Sequence, residues 1–479
     1  MDISWKNQYS VEELIKLTSE LGIEIVDLKF CDLLGKMYHL SIPASRFEQS
    51  LFESGIGFDG SNCPGFTRLE SGDINILPDP ATAYIDEFYE SPALSFLCDI
   101  VEADSGKPFS RDPRGVAKRA EQFLNETGIA DESWWLPELE FYVFDDIYYS
   151  DKPYDTGYGV DSVEADWNSC EDEVMHWQRH KRGYHSVTPE DKLHDLRAEI
   201  TLSLEDIGIP VRYFHHEVGG AGQCEIELLI RPGIVRTADT VLLAKHIIRN
   251  IAAEMGQSVT FMPKPIYGEP GTGMHFHQKL HLKGKNLFFS ETGYAGLSNT
   301  ALHYIAGLSS HAGSIMAFTN PSTNSYRRMV KGFEAPTRVF FSLANRSAAI
   351  RIPKSAVTEE KKRIEFRMPD GTANPYLAVS SMLLAGLDGI NNKLDWKKYG
   401  PLDQNLHLLP PQEQEKYPAV PDSLENALHL LSENSAFLKA GDVFDDDLIR
   451  TWIDIKMERE VYPIHRRPHP YEIELYFNL

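Results

Sequence analysis

Basic residues are in deficit: 47 lysines and arginines stand against 71 aspartates and glutamates in 479 residues, a net charge of −24. That surplus repels phosphate backbones and anionic lipid, which argues against nucleic-acid and membrane partners. Cysteine is scarce as well. Cys31, Cys63, Cys98, Cys170 and Cys224 are odd in number and show no CxxC spacing, so neither a disulfide framework nor a thiolate zinc site is expected. No run reaches the roughly 18 apolar residues needed to cross a bilayer, and the opening MDISWKNQYS has no apolar stretch suited to secretion. A reduced, cytoplasmic protein is the expectation. Repeats and low-complexity tracts are also missing. What is present, 42% hydrophobic and 25% charged residues, suits a globular chain long enough for two or more cores.

The organisation predicted is α+β. Residues 1–107 read as a small domain: VEELIKLTSELG has helical spacing ending at Gly22, and IEIVDLKFCDLLGKMYHLSIP reads as two strands about a Leu-Gly turn. The Gly- and Pro-rich SGKPFSRDPRG follows as the boundary, with Asp112 and Pro113 placed to start a helix of the second domain, 108–479. Residues 147–192 are polar and aromatic without clear period and read as a long surface insertion. TADTVLLAKHIIRNIAAEMG is the clearest helix, with Thr237 expected as N-cap and Gly256 as stop. Val241, Leu242, Ile247, Ile248, Ile251 and Met255 form its apolar stripe.

Several short strands alternate apolar residues with charged ones. In LPELEFYVFD, Glu138 and Glu140 share one face; in GMHFHQKLHL, His275 and His277 do; in KRIEFRMPD, Arg363, Glu365 and Arg367 do. HHEVGGAGQCEIELLI adds Glu217 before a Gly-rich bend and Glu225 after it. One such strand alone would read as a solvated sheet face. Four rich in Glu and His point instead to a shared cleft around a hard divalent cation, since converging carboxylates repel unless a cation lies between them. His281 and Glu227 continue two of these patterns and read as surface residues. Arg346, Arg351, Arg363 and Arg367 nearby suit phosphoryl and carboxylate oxygens, whereas GEPGTGMH matches neither a Walker loop nor GxGxxG.

A series of longer motifs carries a family resemblance. FDGSN at 58–62, PELEF at 137–141 and HHEVGGAGQCE at 215–225 are similar to FDGSS, PEPEF and HHEVATAGQNE of the type I glutamine synthetases, and KPIYGEPGTGMHFH, NPSTNSYRRMVKGFEAP, NRSAAIRIP, RIEFR and ANPYLA follow in that family's order. The resemblance implies a small N-terminal β-grasp domain and a large catalytic α/β domain whose curved antiparallel sheet lines a metal-containing cleft. It implies ATP-dependent ligation of ammonium to L-glutamate through a γ-glutamyl phosphate. Glu140, Glu217 and Glu225 would hold one Mg²⁺ or Mn²⁺, and Glu138, His275 and Glu365 another. Glutamate would lie against Gly271, Arg328 and Arg367, and ATP against His277, Arg346, Arg351 and Arg363. Glu334 matches the flap carboxylate. Asp59 matches the acid that deprotonates ammonium, supplied by a neighbouring subunit of a dodecamer of two hexamers, and Tyr184 matches an aromatic of the ammonium pocket.

Departures from the family pattern also carry expectations. Asn62 replaces the second Ser of FDGSS, and Pro270 stands where many members have Asn; both touch amine or amino-acid recognition, where relatives using other amines, the γ-glutamylpolyamine synthetases, differ. A non-catalytic homologue would be expected to have lost metal acids or Asp59, and all are here. The insertion, with VDSVEADWNS at 160–169, resembles that of the longer subfamily, yet His407 in NLHLLP replaces the tyrosine which that subfamily adenylylates. Arg68 in FTRLE resembles an arginine linked to feedback inhibition in the shorter subfamily, and equally suits a surface salt bridge.

Overall fold

The first helix, Val11–Glu20, starts where Ser10 can close a capping box: its Oγ accepts from the Glu13 amide at 3.2 Å, and the Glu13 carboxylate accepts from the Ser10 amide at 2.8 Å. The computed structural model describes residues 3–168 and 177–479, so Cys170 and the end of VDSVEADWNS lie outside the described residues. After the helix come β1 (Ile25–Cys31), β2 (Met37–Pro43), β3 (Ile56–Asp59), β4 (Asp73–Pro78), β5 (Tyr84–Asp86) and β6 (Ala93–Glu102), in sheet order β2-β1-β6-β4-β3 with β5 paired to β6. The β1–β2 turn passes through Gly35 at φ +93, a backbone state that glycine reaches without Cβ strain.

Asp112 caps the next helix, Pro113–Thr127, accepting from the Arg114 and Gly115 amides at 3.1 Å each. The buried Arg114 side chain holds Asp79 and Asp99 at 2.7 Å and Asp239 at 3.0 Å, tying the small sheet to the large unit. There the strands are β7 (Glu132–Phe144), β8 (Asp146–Lys152), β9 (Asp155–Asp161), β10 (Val211–His216), β11 (Gln223–Leu228), β12 (Arg231–Pro232), β13 (Ser258–Thr260), β14 (Met274–Leu282), β15 (Lys285–Asn286), β16 (Phe341–Leu343), β17 (Ile350–Ile352) and β18 (Ile364–Phe366). The main sheet runs β10-β11-β7-β14-β18-β17-β16, antiparallel except between β16 and β17. Its apolar side packs on helices, with Leu139, Phe141, Met274, Phe276, Ile364 and Phe366 fully buried in the core.

Three local expectations are corrected. The helix expected from Thr237 runs Ile234–Glu254 after Gly233; Ile234 and Val235 extend its buried stripe, and the Thr237 hydroxyl donates to the Gly233 carbonyl at 2.7 Å from inside it. Met255 lies past the helix end and is 45% exposed, unlike the rest of its expected stripe. The 147–192 segment is not simply a surface insertion. Its start forms the exposed β8–β9 hairpin, but Glu164 and Asp191 are buried, holding His216 at 2.9 Å and Arg197 at 2.5 Å.

Candidate active site

Period-two alternation sets Glu138 and Glu140 on one face of β7, and strand register then chooses their neighbours. Glu138 lies opposite His275 of β14 and Glu227 of β11; Glu140 lies opposite Glu225; His277 lies opposite Glu365 of β18, which faces Arg351 of β17. Glu138 is bracketed by two imidazoles, His275 Nδ1 at 3.0 Å and His277 Nε2 at 2.6 Å. Glu365 is gripped by Arg351 at 2.5 Å and by Arg367 at 3.0 Å, and stands 3.8 Å from His275. Glu140 accepts from the Gly273 amide at 2.7 Å and lies 3.9 Å from the far nitrogen of His275.

Among the described residues, three groups bring ligand atoms within 4.8 Å of one another: Glu138 with His275 and Glu365, Glu138 with Glu227 and His277, and His215 with Glu217 and Glu225. The electrostatics divide the acids. Burial and the neighbouring Glu140 and Glu225 push Glu217 well above the usual carboxylate range; burial, Glu138 and Glu140 do the same to Glu225. Burial also opposes ionisation of Glu138, but His277 and His275 outweigh it and hold that carboxyl well below its ordinary value. In Glu365, burial and Glu138 are outweighed by His277, Arg367 and Arg351. Buried carboxylates that raise one another are short of positive charge, and oxygen donors with imidazole fit a hard divalent cation.

The arginines and loops ring this cleft. Arg328 is buried, donating to the Met368 carbonyl at 2.8 Å and reaching His275 Nε2 at 3.3 Å. Arg367 Nη1 donates to the Glu334 carbonyl at 3.1 Å, and Arg363 Nε donates to His277 Nδ1 at 3.1 Å. Arg346 is exposed and faces Tyr184, Glu334 and Glu365; burial lowers its pKa less than Tyr184 and these acids raise it. Tyr184 packs its ring on His185 and His215. Gly271 has no room for a side chain: a Cβ there would lie 2.4 Å from the Pro263 carbonyl oxygen.

One expected residue lies apart. Asp59, at the exposed end of β3, accepts from the Ser61 amide at 2.9 Å, the Ser61 hydroxyl at 2.6 Å and the Asn62 amide at 2.7 Å, and Ser61 chiefly holds its pKa below the usual range. Among the described residues no hydrogen bond or ion pair joins it to the cleft of its own chain. Pro270 contributes its carbonyl, which accepts from the Tyr142 hydroxyl at 2.8 Å. Arg68 is exposed, and His407 sits half-buried in the turn Leu406–Leu408.

Glu227 corrects the sequence reading: it is 1% exposed, ion-paired with Arg212 and grouped with Glu138 and His277. Its spacing of two from Glu225 was the available signal. His281 is half-buried and stacks on Trp134 at 5.1 Å, so it is not a plain surface residue either. His215 and Gly273 also belong to the site; His215 lies two residues before Glu217 in sequence, and a Cβ on Gly273 would meet His275 at 2.5 Å.

Comparison with known proteins gives a consistent result. Residues 22–103 match the family model described as glutamine synthetase, beta-Grasp domain, and residues 110–476 match that for the glutamine synthetase catalytic domain. The chain is 46% identical over 472 residues to a glutamine synthetase of Frankia alni and 45% identical over 475 residues to one of Mycolicibacterium smegmatis, covering 98% of this chain and 99% of each relative. A solved glutamine synthetase of Plasmodium falciparum superposes with a TM-score of 0.88 at 28% identity, over 98% of this chain and 99% of that one.

Proposed function

The chain belongs to the glutamine synthetase family and is an ATP-dependent glutamate–ammonia ligase, and on that premise we propose how its own residues carry the reaction. Residues 1–107 form the β-grasp domain and 108–479 the catalytic domain. Glu140, Glu217 and Glu225 would hold one Mg²⁺ or Mn²⁺, and Glu138, His275 and Glu365 a second. Bound there, the ions neutralise charge on the ATP phosphates and the glutamate carboxylate.

Arg346, Arg351 and Arg363, with His277, orient ATP for in-line transfer, while Arg328 and Arg367 hold glutamate and the Gly271 backbone receives its amino end. A γ-carboxylate oxygen of glutamate attacks the γ-phosphorus, forming the acyl phosphate and releasing ADP. Ammonium has no lone pair, so Asp59 of a neighbouring subunit takes one proton beside Tyr184; ammonia then attacks the acyl carbon and phosphate leaves. Glu334 closes over the intermediate and excludes water. The exposure of Asp59, which among the described residues makes no hydrogen bond or ion pair to the cleft of its own chain, supports a homododecamer of two hexamers in which that acid completes the next subunit's site. The buried free thiols Cys31, Cys63, Cys98 and Cys224 support a cytoplasmic setting, and no described helix is long and apolar enough to cross a membrane.

The observation that carries this reading is Glu138 bracketed by His275 and His277 beside a Glu365 gripped by two arginines. Glutamine and ADP formation, measured with ammonium and with a panel of amines, test it. Excess chelator and Glu365→Ala should each lower turnover on the order of a hundred-fold or more. Full turnover in chelator, or a diamine preferred over ammonium, would overturn the assignment.

A further inference from the structure

Away from the carboxylate cleft, the small domain and the catalytic domain face each other across a second opening of about 720 Å³, bounded by the β1–β2 hairpin and Tyr89 on one side. On the other side lie the helix Ile234–Glu254 and the segments 259–262 and 371–373. Its charge is unlike that of the chain as a whole. Lys29, Lys36 and His39 line it from the hairpin, and Lys245, His246 and Arg249 from one face of the helix, yet among the described residues no aspartate or glutamate lines it in a protein of net charge −24. Two acids lie just behind the wall and are already engaged. Asp27 is held by Lys29 at 2.5 Å and His39 at 2.7 Å, and Asp86 by Lys29 at 2.9 Å and His246 at 3.0 Å.

That leaves three cations without a carboxylate partner among the described residues. Lys36 lies over the Tyr38 ring at 4.9 Å, and Arg249 lies over Phe261 at 5.1 Å. Lys245 is only 7% exposed, and its ammonium donates to a neutral group, the Gly371 carbonyl, at 2.6 Å. Burial, with Arg249 beside it, pulls Lys245 down to about 7. Asp370 opposes that shift, but it makes no ion pair with Lys245 and already accepts from the Asn320 amide and the Thr372 hydroxyl. A buried ammonium so placed, with a guanidinium beside it, is costly, and an anion seated between the two cations would offset that cost. The volume suits a small metabolite, and the ring walls suit its carbon body.

We propose that this inter-domain cleft binds a small organic dianion, a dicarboxylate or a phosphomonoester, with Lys36 on one side and Lys245 and Arg249 on the other. Its occupant would touch both domains and the segment 259–262. The Met262 carbonyl on its wall accepts from the Thr272 hydroxyl at 2.8 Å, and Thr272 follows Gly271.

Titration calorimetry on the assembled full-length protein at low ionic strength, with succinate and with phenyl phosphate as probes, tests the site. Wild type should take up one probe molecule per chain. Lys36→Ala and Arg249→Ala should each weaken binding about ten-fold, and Lys245→Met more, while Glu365→Ala binds as wild type does. Uptake of succinate alone makes the occupant a dicarboxylate, and uptake of phenyl phosphate alone makes it a phosphomonoester. Should Lys245→Met fail to assemble, the two rim variants still decide. No saturable uptake of either probe would overturn the proposal. So would uptake abolished by Glu365→Ala but indifferent to Lys36→Ala and Arg249→Ala.

Discussion

Glu138 and Glu225 share one cleft, yet their surroundings move their pKa values in opposite directions from the ordinary carboxylate value for local reasons. Two imidazoles hold Glu138 ionised, whereas Glu225 faces Glu138 and Glu140 with burial against it. For Glu217 and Glu225 the native pKa exceeds the unfolded value of about 4.3, so without metal the native state binds the extra protons. Stability is then lost as pH rises through the native values. Glu138 has the opposite sign, its stabilisation present above the unfolded pKa and lost as pH falls through the native one. A bound divalent ion reverses the first loss. Added Mg²⁺ should therefore raise the thermal midpoint more at about pH 8 than at about pH 5, and equal shifts would refute the account. Asp59, with three donors on its carboxylate, gives a separate prediction. Asp59→Asn should reduce glutamine formation by about a hundred-fold or more while ADP release from glutamate and ATP remains detectable; normal turnover with ammonium would remove it from the mechanism.

Among the elements, the segment around Glu334 is held at two successive residues. The Phe333 ring centre lies 4.3 Å from the ammonium of Lys181 and 3.7 Å from that of Lys264, while the Glu334 carbonyl accepts from Arg367. Glu334 itself has φ +55, an unfavourable backbone state for a residue with a Cβ that these contacts must sustain. Each ring–cation contact contributes about 0.5–1 kcal/mol. Phe333→Leu or Lys264→Met should loosen closure and raise the ratio of ADP formed to glutamine formed by a few-fold, through hydrolysis of the acyl phosphate. A ratio unchanged in both variants would mean that closure does not depend on this clamp. Burial and Lys181 bring Lys264 down to about 8, so the ammonium is lost as pH rises through that value and the same ratio should climb there.

At the scale of the whole molecule, Arg114 joins the two domains by binding Asp79 and Asp99 of the small domain and Asp239 of the helix Ile234–Glu254, which also accepts from the Tyr376 hydroxyl at 2.7 Å. Removing one partner of a buried ionic cluster leaves the others uncompensated, at about 3–5 kcal/mol. Arg114→Met should lower the thermal midpoint by several degrees, read by calorimetry; an unchanged midpoint would show that apolar contacts alone hold the domains together.

What the sequence determined by itself was local. Period-two alternation placed Glu138 with Glu140 and His275 with His277 before any partner was known, because adjacent side chains on a strand point to opposite faces. Asp112 before Pro113 marked a helix start for an equally local reason. The motifs carried the family and the two-domain fold. Tertiary structure alone decided which groups meet. Register between β7, β11 and β14 makes Glu227 a buried neighbour of Glu138 rather than a surface residue, and burial of Ile234 and Val235 moves the helix start ahead of Thr237. The cationic opening between the domains gathers Lys36 and Lys245 from more than 200 residues apart. Such pairings depend on how distant elements pack, and no short window of residues contains that information.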